Sequence, residues 1–332
     1  MKLITVAPED AVSAILAHSH RGDKTKLKKG HVLSETDCRL LLDDGVSKVV
    51  VAQLEEGDVA EDQAAESLSK TLASDLISAE APFTGRANLY AKQTGLFLAA
   101  REVIARLNRV DPAITIATLN DQTFVERGRM VGTVKIIPFA VDGATLQKVI
   151  EIANAERAID LKEAKPLRVG LVATKLPSLK HSTMDKTRKV LADRLVPSGG
   201  NVSAELRVSH TVEAVADALS ALKATVDLII VFGASAISDR ADVIPAGLEA
   251  AGGKVVHLGM PVDPGNLLMI GKLAESPVIG APGCARSPAE NGFDWVLNRM
   301  LCGLPVDGEY LTGLGVGGLL MEISTRTQPR EG

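Results

Sequence analysis

Four short segments hold most of the residues in this chain whose type and spacing suit chemistry. In the first, Phe232-Gly233-Ala234-Ser235-Ala236-Ile237-Ser238-Asp239-Arg240-Ala241-Asp242, a run of small residues leads to two aspartates. Small side chains at Gly233, Ala234 and Ser235 let a backbone approach a ligand closely, and amides near a helix start can hold an anion. Asp239 and Asp242 have the chemistry to bind Mg2+ or to take a proton. A tight turn with Asp242 as a helix N-cap accounts for the same residues, and both readings stay open. The second segment is Gly259-Met260-Pro261-Val262-Asp263-Pro264-Gly265-Asn266. Two prolines and two glycines make it a stiff, shaped loop, although Pro264-Gly265 also fits a type II turn. The third is Gly280-Ala281-Pro282-Gly283-Cys284-Ala285-Arg286-Ser287-Pro288. Its backbone amides and Arg286 would suit a phosphate, and Ser287-Pro288 reads as an N-cap followed by a first-turn proline. The fourth, 175–186, carries Lys175, Lys180, His181, Lys186 and Asp185. In an acidic chain, such a basic cluster points to an anionic ligand or to a solvated loop.

Other chemistries find no support. There is no G-x-x-x-x-G-K-[ST], no helix-opening G-x-G-x-x-G, no H-E-x-x-H and no G-x-S-x-G. His18 and His20 stand two apart, but two ligands do not make a zinc site. Cys284 has no histidine near it in sequence and reads as a small buried residue. Gly313 to Gly318 reads as a turn or tail.

The elements that must position these segments alternate through the second half. Strands are expected over 168–173, 202–208, 227–232, 254–258 and 277–280, and helices over 183–195, 211–223, 242–251 and 287–301. The near-continuous apolar run at 227–232 suits a buried parallel strand. The order predicts an α/β fold with a doubly wound, mostly parallel sheet, where ligands bind beyond the carboxyl ends of the strands. All four segments fall at such ends. The first half lacks this alternation and predicts an α+β domain with β-hairpins. There Ser34 and Asp37 suit a capping box opening a helix over 34–43, with Gly45 as its stop and a strand over 48–54. A helix is expected over 58–80, a hairpin through Gln93-Thr94-Gly95, and strands over 114–119 and 130–140. The expected division is an N-terminal domain over 1–160, an α/β domain over 161–305 and a tail over 306–332.

Composition narrows the class. The chain has 332 residues, 46% of them hydrophobic, which suffices for about two cored domains and excludes global disorder. With 37 basic and 41 acidic residues, a nucleic-acid-coating role is not expected. One Trp, two Tyr and six Phe also argue against a base-stacking platform. Three cysteines without a C-x-x-C suggest a reducing compartment. Pro8, Glu9 and Asp10 break the first apolar run too early for a signal peptide, and no stretch is long enough to span a membrane. A cytoplasmic location is the expectation.

Taken in order, the four segments resemble the molybdopterin-binding domain of molybdenum-cofactor biosynthesis proteins, a family of adenylyltransferases and molybdotransferases. The resemblance spans 167–303. It rests on Asp185-Lys186-Thr187, on Gly233-Ala234-Ser235 with Asp242, on Pro264-Gly265, and on Gly280-Ala281-Pro282-Gly283 with Ser287. The whole chain looks closest to the molybdopterin-binding region fused ahead of some molybdenum-cofactor nucleotidyltransferases. The resemblance implies molybdopterin, a pterin phosphate, held by Gly233, Ala234, Ser235, Lys186, Thr187, Pro264, Gly265, Asn266, Pro282, Gly283, Arg286 and Ser287. It implies Mg2+ at Asp242 and Asp239, with Asp185 as a further catalytic acidic group, and ATP or molybdate as co-substrates. It also implies a homo-oligomer and contacts with other enzymes of the pathway. The departures are specific: where molybdotransferases carry a Lys-Pro-Gly-Lys loop, this chain has Asp263-Pro264-Gly265-Asn266, which removes both positive charges. Thr174-Lys175-Leu176-Pro177 stands where the family has Thr-Gly-Asp-Glu. A non-catalytic pterin carrier or interaction module is therefore the alternative to a transferase.

Overall fold

The structure is a computed structural model describing residues 1–177 and 181–320. The chain divides into two compact units: Met1–Gln93 with Phe97–Lys162, and Thr94–Leu96 with the chain from Glu163 on.

The first unit is α+β. Strand Val49–Gln53 pairs antiparallel with Lys2–Val6 and Ile15–Leu16. Helix Glu35–Asp43 buries Cys38 and Leu41 in the same core as Val49 and Val51. Its start is a full capping box, with Ser34 and Asp37 each bonding the other's backbone amide. Gly45 closes the helix at φ +79°, a conformation glycine adopts without strain. A second core lies between helices Glu61–Leu72 and Gly143–Ala155 and an antiparallel sheet. That sheet has the order Ile114–Thr118, Met130–Ile136, Arg86–Ala91, Ile77–Ala79.

Two expectations for this half need correction. The helix over 58–80 is only Glu61–Leu72, because Ser74 turns the chain by accepting the Leu76 and Ile77 amides at 3.3 and 3.1 Å. The four-residue spacing of Leu72 and Leu76 is therefore not one helix face. The hairpin through Gln93-Thr94-Gly95 does not form: strands Arg86–Ala91 and Gly95–Ala99 belong to different sheets. Ala91 bonds instead to the 128–129 backbone. Helices Arg101–Val110 and Gly143–Ala155 were not foreseen.

The second unit is the α/β half, its elements numbered here within the unit. Strands are β1 Arg168–Lys175, β2 Asn201–Ser209, β3 Leu228–Phe232, β4 Lys254–Leu258, β5 Met269–Leu273 and β6 Ser276–Ala281. Helices are α1 His181–Leu195, α2 Val212–Leu222, α3 Val243–Ala250, α4 Gly292–Leu301 and α5 Gly308–Gly313. The sheet order is β2-β1-β3-β6-β5-β4. The pairs β1·β2, β1·β3 and β3·β6 are parallel, while β4·β5 and β5·β6 are antiparallel. Two antiparallel steps restore direction, so β4 again runs parallel to β6. The expected mostly parallel sheet is present, with the unforeseen β5 as its one reversed strand.

The central strand β3 is buried at every residue, because helices cover both faces. Leu228, Ile230 and Phe232 enter one core, Ile229 and Val231 the other. Each such side chain stabilises by about 1.5–3 kcal/mol on burial. Helix α2 buries Val215, Ala218, Leu219 and Leu222, one stripe at helical spacing, beside β3. The expected helix over 287–301 begins only at Gly292. Asn291 is its N-cap and forms a capping box with Asp294. Ser287 and Pro288 lie ahead of it, after a 3-10 turn over Gly283–Arg286, so the Ser287 cap and Pro288 first-turn assignments are corrected. Among the described residues, no helix is long and apolar enough to cross a membrane.

Candidate functional site

The carboxyl ends of β1, β2, β3, β4 and β6 lie on one edge of the sheet, because all five run the same way. This places residues 174–177 and the 233–242, 259–266 and 281–287 segments on that edge. Lys180, a member of the basic cluster in the fourth segment, lies outside the described residues.

Thr174, at the end of β1, is fully buried. Its Oγ1 accepts the Ala234 amide at 2.7 Å and lies 2.8 Å from His210 Nδ1. The hydroxyl thus anchors the turn after β3 to the residue that follows β2. Gly233 begins that turn, and a Cβ there would stand 2.6 Å from the Ser235 carbonyl oxygen and 2.7 Å from Ile244 Cδ1. Glycine is required at this position because the chain folds back on itself. Ala234 is half-buried and Ser235 exposed at the top of the turn.

Arg286 reaches this turn from the opposite segment. Its guanidinium donates to the Gly233 carbonyl at 2.9 Å and to Thr187 Oγ1 at 2.6 Å, and lies 5.2 Å from the Phe232 ring centroid. Burial pulls its pKa below the ordinary arginine value. Thr187 is 1% exposed and donates to the Thr183 carbonyl. Arg286 and Thr187, expected to meet the ligand, are thus placed as braces joining α1, the β3 turn and the 283–287 segment. Arg194 makes a similar brace. It donates to Asp294 at 2.6 Å, to the Ala285 carbonyl at 2.8 Å and to the Ser287 carbonyl at 2.8 Å.

The aspartates occupy two places. Asp242 Oδ2 accepts the Ser238 and Asp239 amides at 2.5 and 2.8 Å and the Ser238 hydroxyl at 3.0 Å. Those amide bonds, that of Ser238 foremost, hold its pKa below the ordinary range, so it is ionised at neutral pH. Asp239 Oδ1 accepts the Ala241 amide at 2.8 Å. Asp185 sits on α1 and pairs with Arg207 of β2 at 2.6 Å. Lys186, its neighbour, is exposed. Among the described residues, no three His, Cys, Asp or Glu side chains cluster as a metal site.

The Pro264-Gly265 loop is built into the protein. The Pro264 carbonyl accepts the Gly292 amide at 2.9 Å, and a Cβ on Gly265 would stand 2.8 Å from the Gly292 backbone. Gly265 is buried, while Asn266 is exposed and its carbonyl accepts the Met260 amide at 3.0 Å. Pro282 is buried. Gly283 is exposed with open space where a Cβ would be, and Ser287 is exposed. Cys284 is half-buried, its Sγ 3.8 Å from Asn291 Oδ1, and burial raises its pKa, which suits an inert thiol.

Sequence reasoning passed over three residues that the geometry makes central: Thr174, His210 and Arg194. His210 was open to discovery, since it follows a strand that ends on the same edge. Nothing in the local pattern marks Arg194, whose partners lie about a hundred positions away.

Comparison with known proteins bears on the same segments. Residues 169–301 match the family model described as a probable molybdopterin binding domain. Residues 5–53 match another, described as a domain of unknown function (DUF8806). No curated protein matches the chain. Among solved structures, molybdenum cofactor biosynthesis protein B aligns at 17% identity and a TM-score of 0.29, over 41% of this chain and 88% of that one. A molybdenum cofactor biosynthesis protein from Pyrococcus furiosus aligns at 14% identity and a TM-score of 0.27, over 92% of this chain and 66% of that one. The molybdopterin biosynthesis moeA protein from Pyrococcus horikosii aligns at 12% identity and a TM-score of 0.29, over 92% and 74%. Scores and identities this low decide nothing about the chemistry.

Proposed function

We infer that this chain, whose residues 169–301 carry a domain of the molybdopterin-binding family, serves molybdenum-cofactor biosynthesis by holding molybdopterin at the carboxyl edge of its sheet. The observation that carries this reading is the turn after β3. Thr174 and Arg286 brace it from within, while Ser235 is left exposed at its top. A turn fixed in this way can present amides and a hydroxyl to a phosphate without reordering. The residues fit an anionic pterin: Lys175 and Lys186 are exposed, and Gly283, on another segment of the same edge, is exposed with open space where a Cβ would be. Ser235, Lys175, Lys186 and the Gly283 backbone are the groups we assign to the ligand. The ligand supplies the phosphate that these groups read.

The reading is of a binder and carrier. Asp239 and Asp242 are engaged in holding their own turn, Asp185 is paired with Arg207, and the lysines of the Pro-Gly loop are absent. One observation favours a second reading, Mg2+-dependent adenylyl transfer or molybdate insertion: Asp239 is exposed beside an ionised Asp242.

The test is to purify the chain anaerobically from a host that makes the cofactor, oxidise it, and measure fluorescent pterin and molybdenum. Pterin is expected in wild type and absent from Ser235→Trp. Absence from wild type, and from protein supplied with the pterin, would sink the reading. Turnover with Mg2+, ATP and molybdate that is lost in Asp239→Asn while pterin is retained would replace the carrier with the transferase.

A further inference from the structure

We propose that His210 is a ligand-binding residue of this edge: Thr174 holds its ring as the Nε2–H tautomer, and that N–H donates to a phosphate oxygen of the bound molecule. The identity of the ligand rests on the pterin reading, whereas the tautomer does not.

Thr174 is fully buried, so its hydroxyl proton needs an acceptor as much as its oxygen needs a donor. Oγ1 already accepts the Ala234 amide at 2.7 Å. The one further hydrogen-bonding atom it meets among the described residues is His210 Nδ1, at 2.8 Å. With a proton on Nδ1, Oγ1 would accept twice and its own proton would be stranded in the core. With Nδ1 bare, the hydroxyl donates to it and every group is satisfied. A neutral imidazole carries one N–H, which then stands on Nε2. The two nitrogens lie on opposite sides of the ring, so a ring tied inward at Nδ1 turns Nε2 away from Thr174. His210 is half-buried, and among the described residues its Nε2 makes no hydrogen bond.

Around that N–H stand groups already assigned to the ligand. The His210 amide donates to the carbonyl of Lys175 at 3.1 Å. Ala234, held by the same Thr174 hydroxyl, precedes Ser235. His210 is thus tied to both Lys175 and the Ser235 turn, and Lys175 and Ser235 are exposed. Asp242, held ionised first by the Ser238 amide, also responds to charge on His210, and its Oδ2 is filled by three donors from its own turn. The backbone of His210 is fixed on both sides, by the end of β2 at Ser209 and by Thr211, the N-cap of α2. Beside the point charge of Lys175, such a ring adds a directed donor that needs no reordering to bind.

Long-range proton–nitrogen NMR on the full chain, with the His210 signals assigned by their loss in His210→Asn, should show a neutral ring protonated at Nε2. Inorganic phosphate should shift that N–H while leaving the exposed His18 unmoved. His210→Asn puts a carbonyl oxygen where Nδ1 accepts. It should keep the wild-type urea midpoint yet retain about tenfold less pterin, the worth of one hydrogen bond to a charged group. His210→Gln puts an amide N–H where Nε2–H stands and removes the acceptor of the Thr174 hydroxyl. It should lower the urea midpoint and still retain more pterin than His210→Asn. A ring protonated at Nδ1 overturns the proposal, as does wild-type pterin retention by folded His210→Asn. A wild type that holds no pterin sinks the pterin reading alone. The phosphate titration then decides, and an Nε2–H that does not move, or moves no more than that of His18, overturns the donor.

Discussion

At the scale of single residues, Thr174 decides the shape of the candidate site. Its hydroxyl is the acceptor for a backbone amide that a buried turn must satisfy, and valine would keep the volume while removing that acceptor. Thr174→Val should lose about 1–3 kcal/mol of stability in urea titration, the cost of a stranded buried amide. It should also weaken pterin retention, because the turn would no longer be held. Unchanged stability with unchanged retention would show that the bond to Ala234 contributes nothing. The aspartates teach the complementary point. Carboxylates spaced as in 239 and 242 look like a metal pair in sequence. In the fold, each accepts amides from its own turn, the same hydrogen-bonding chemistry serving local structure first.

At the scale of elements, two helix ends carry testable weight. Hydrogen bonds from Ser34 and His31, the Ser34 hydroxyl foremost, hold the Asp37 pKa at about 2, below its ordinary 3.8. A depressed carboxylate pKa means stability that is full above the unfolded value and lost as pH falls through the folded one. Asp37→Ala should therefore cost about 1 kcal/mol near neutral pH, a usual capping loss. Its deficit against wild type should shrink as pH falls from about 4 towards about 2. A deficit constant across that window would place the effect outside the carboxylate. Arg194, near the end of α1, clamps the approach to α4 through one carboxylate and the carbonyls of Ala285, Ser287 and Ala289. Arg194→Met should cost about 3 kcal/mol, since a largely buried charge partner and those carbonyls lose their donor. Thermal denaturation measures this, and a loss below about 1 kcal/mol would mean that solvent replaces the brace.

At the scale of the whole molecule, the sheet of the second unit explains where the candidate site lies. Parallel strands must be entered from the same side, so their outgoing loops gather on one edge. The position of the candidate site at one border of the sheet is a consequence of this architecture.

Local pattern alone determined the alternation of the second half, the buried β3, the capped helix after Ser34 and the four loops that face one edge. Each follows from short-range rules of periodicity, capping and turn chemistry, which act over a few residues. The resemblance to a molybdopterin-binding domain was likewise legible from those loops. What tertiary structure decided is pairing. It sent Arg86–Ala91 and Gly95–Ala99 to different sheets and inserted the reversed β5. It also turned Arg286 and Thr187 inward as braces and brought His210 and Arg194 to the site. Those outcomes depend on contacts between residues tens of positions apart. Strand partners and buried hydrogen bonds are chosen by competition across the folded chain, and no local window contains that competition.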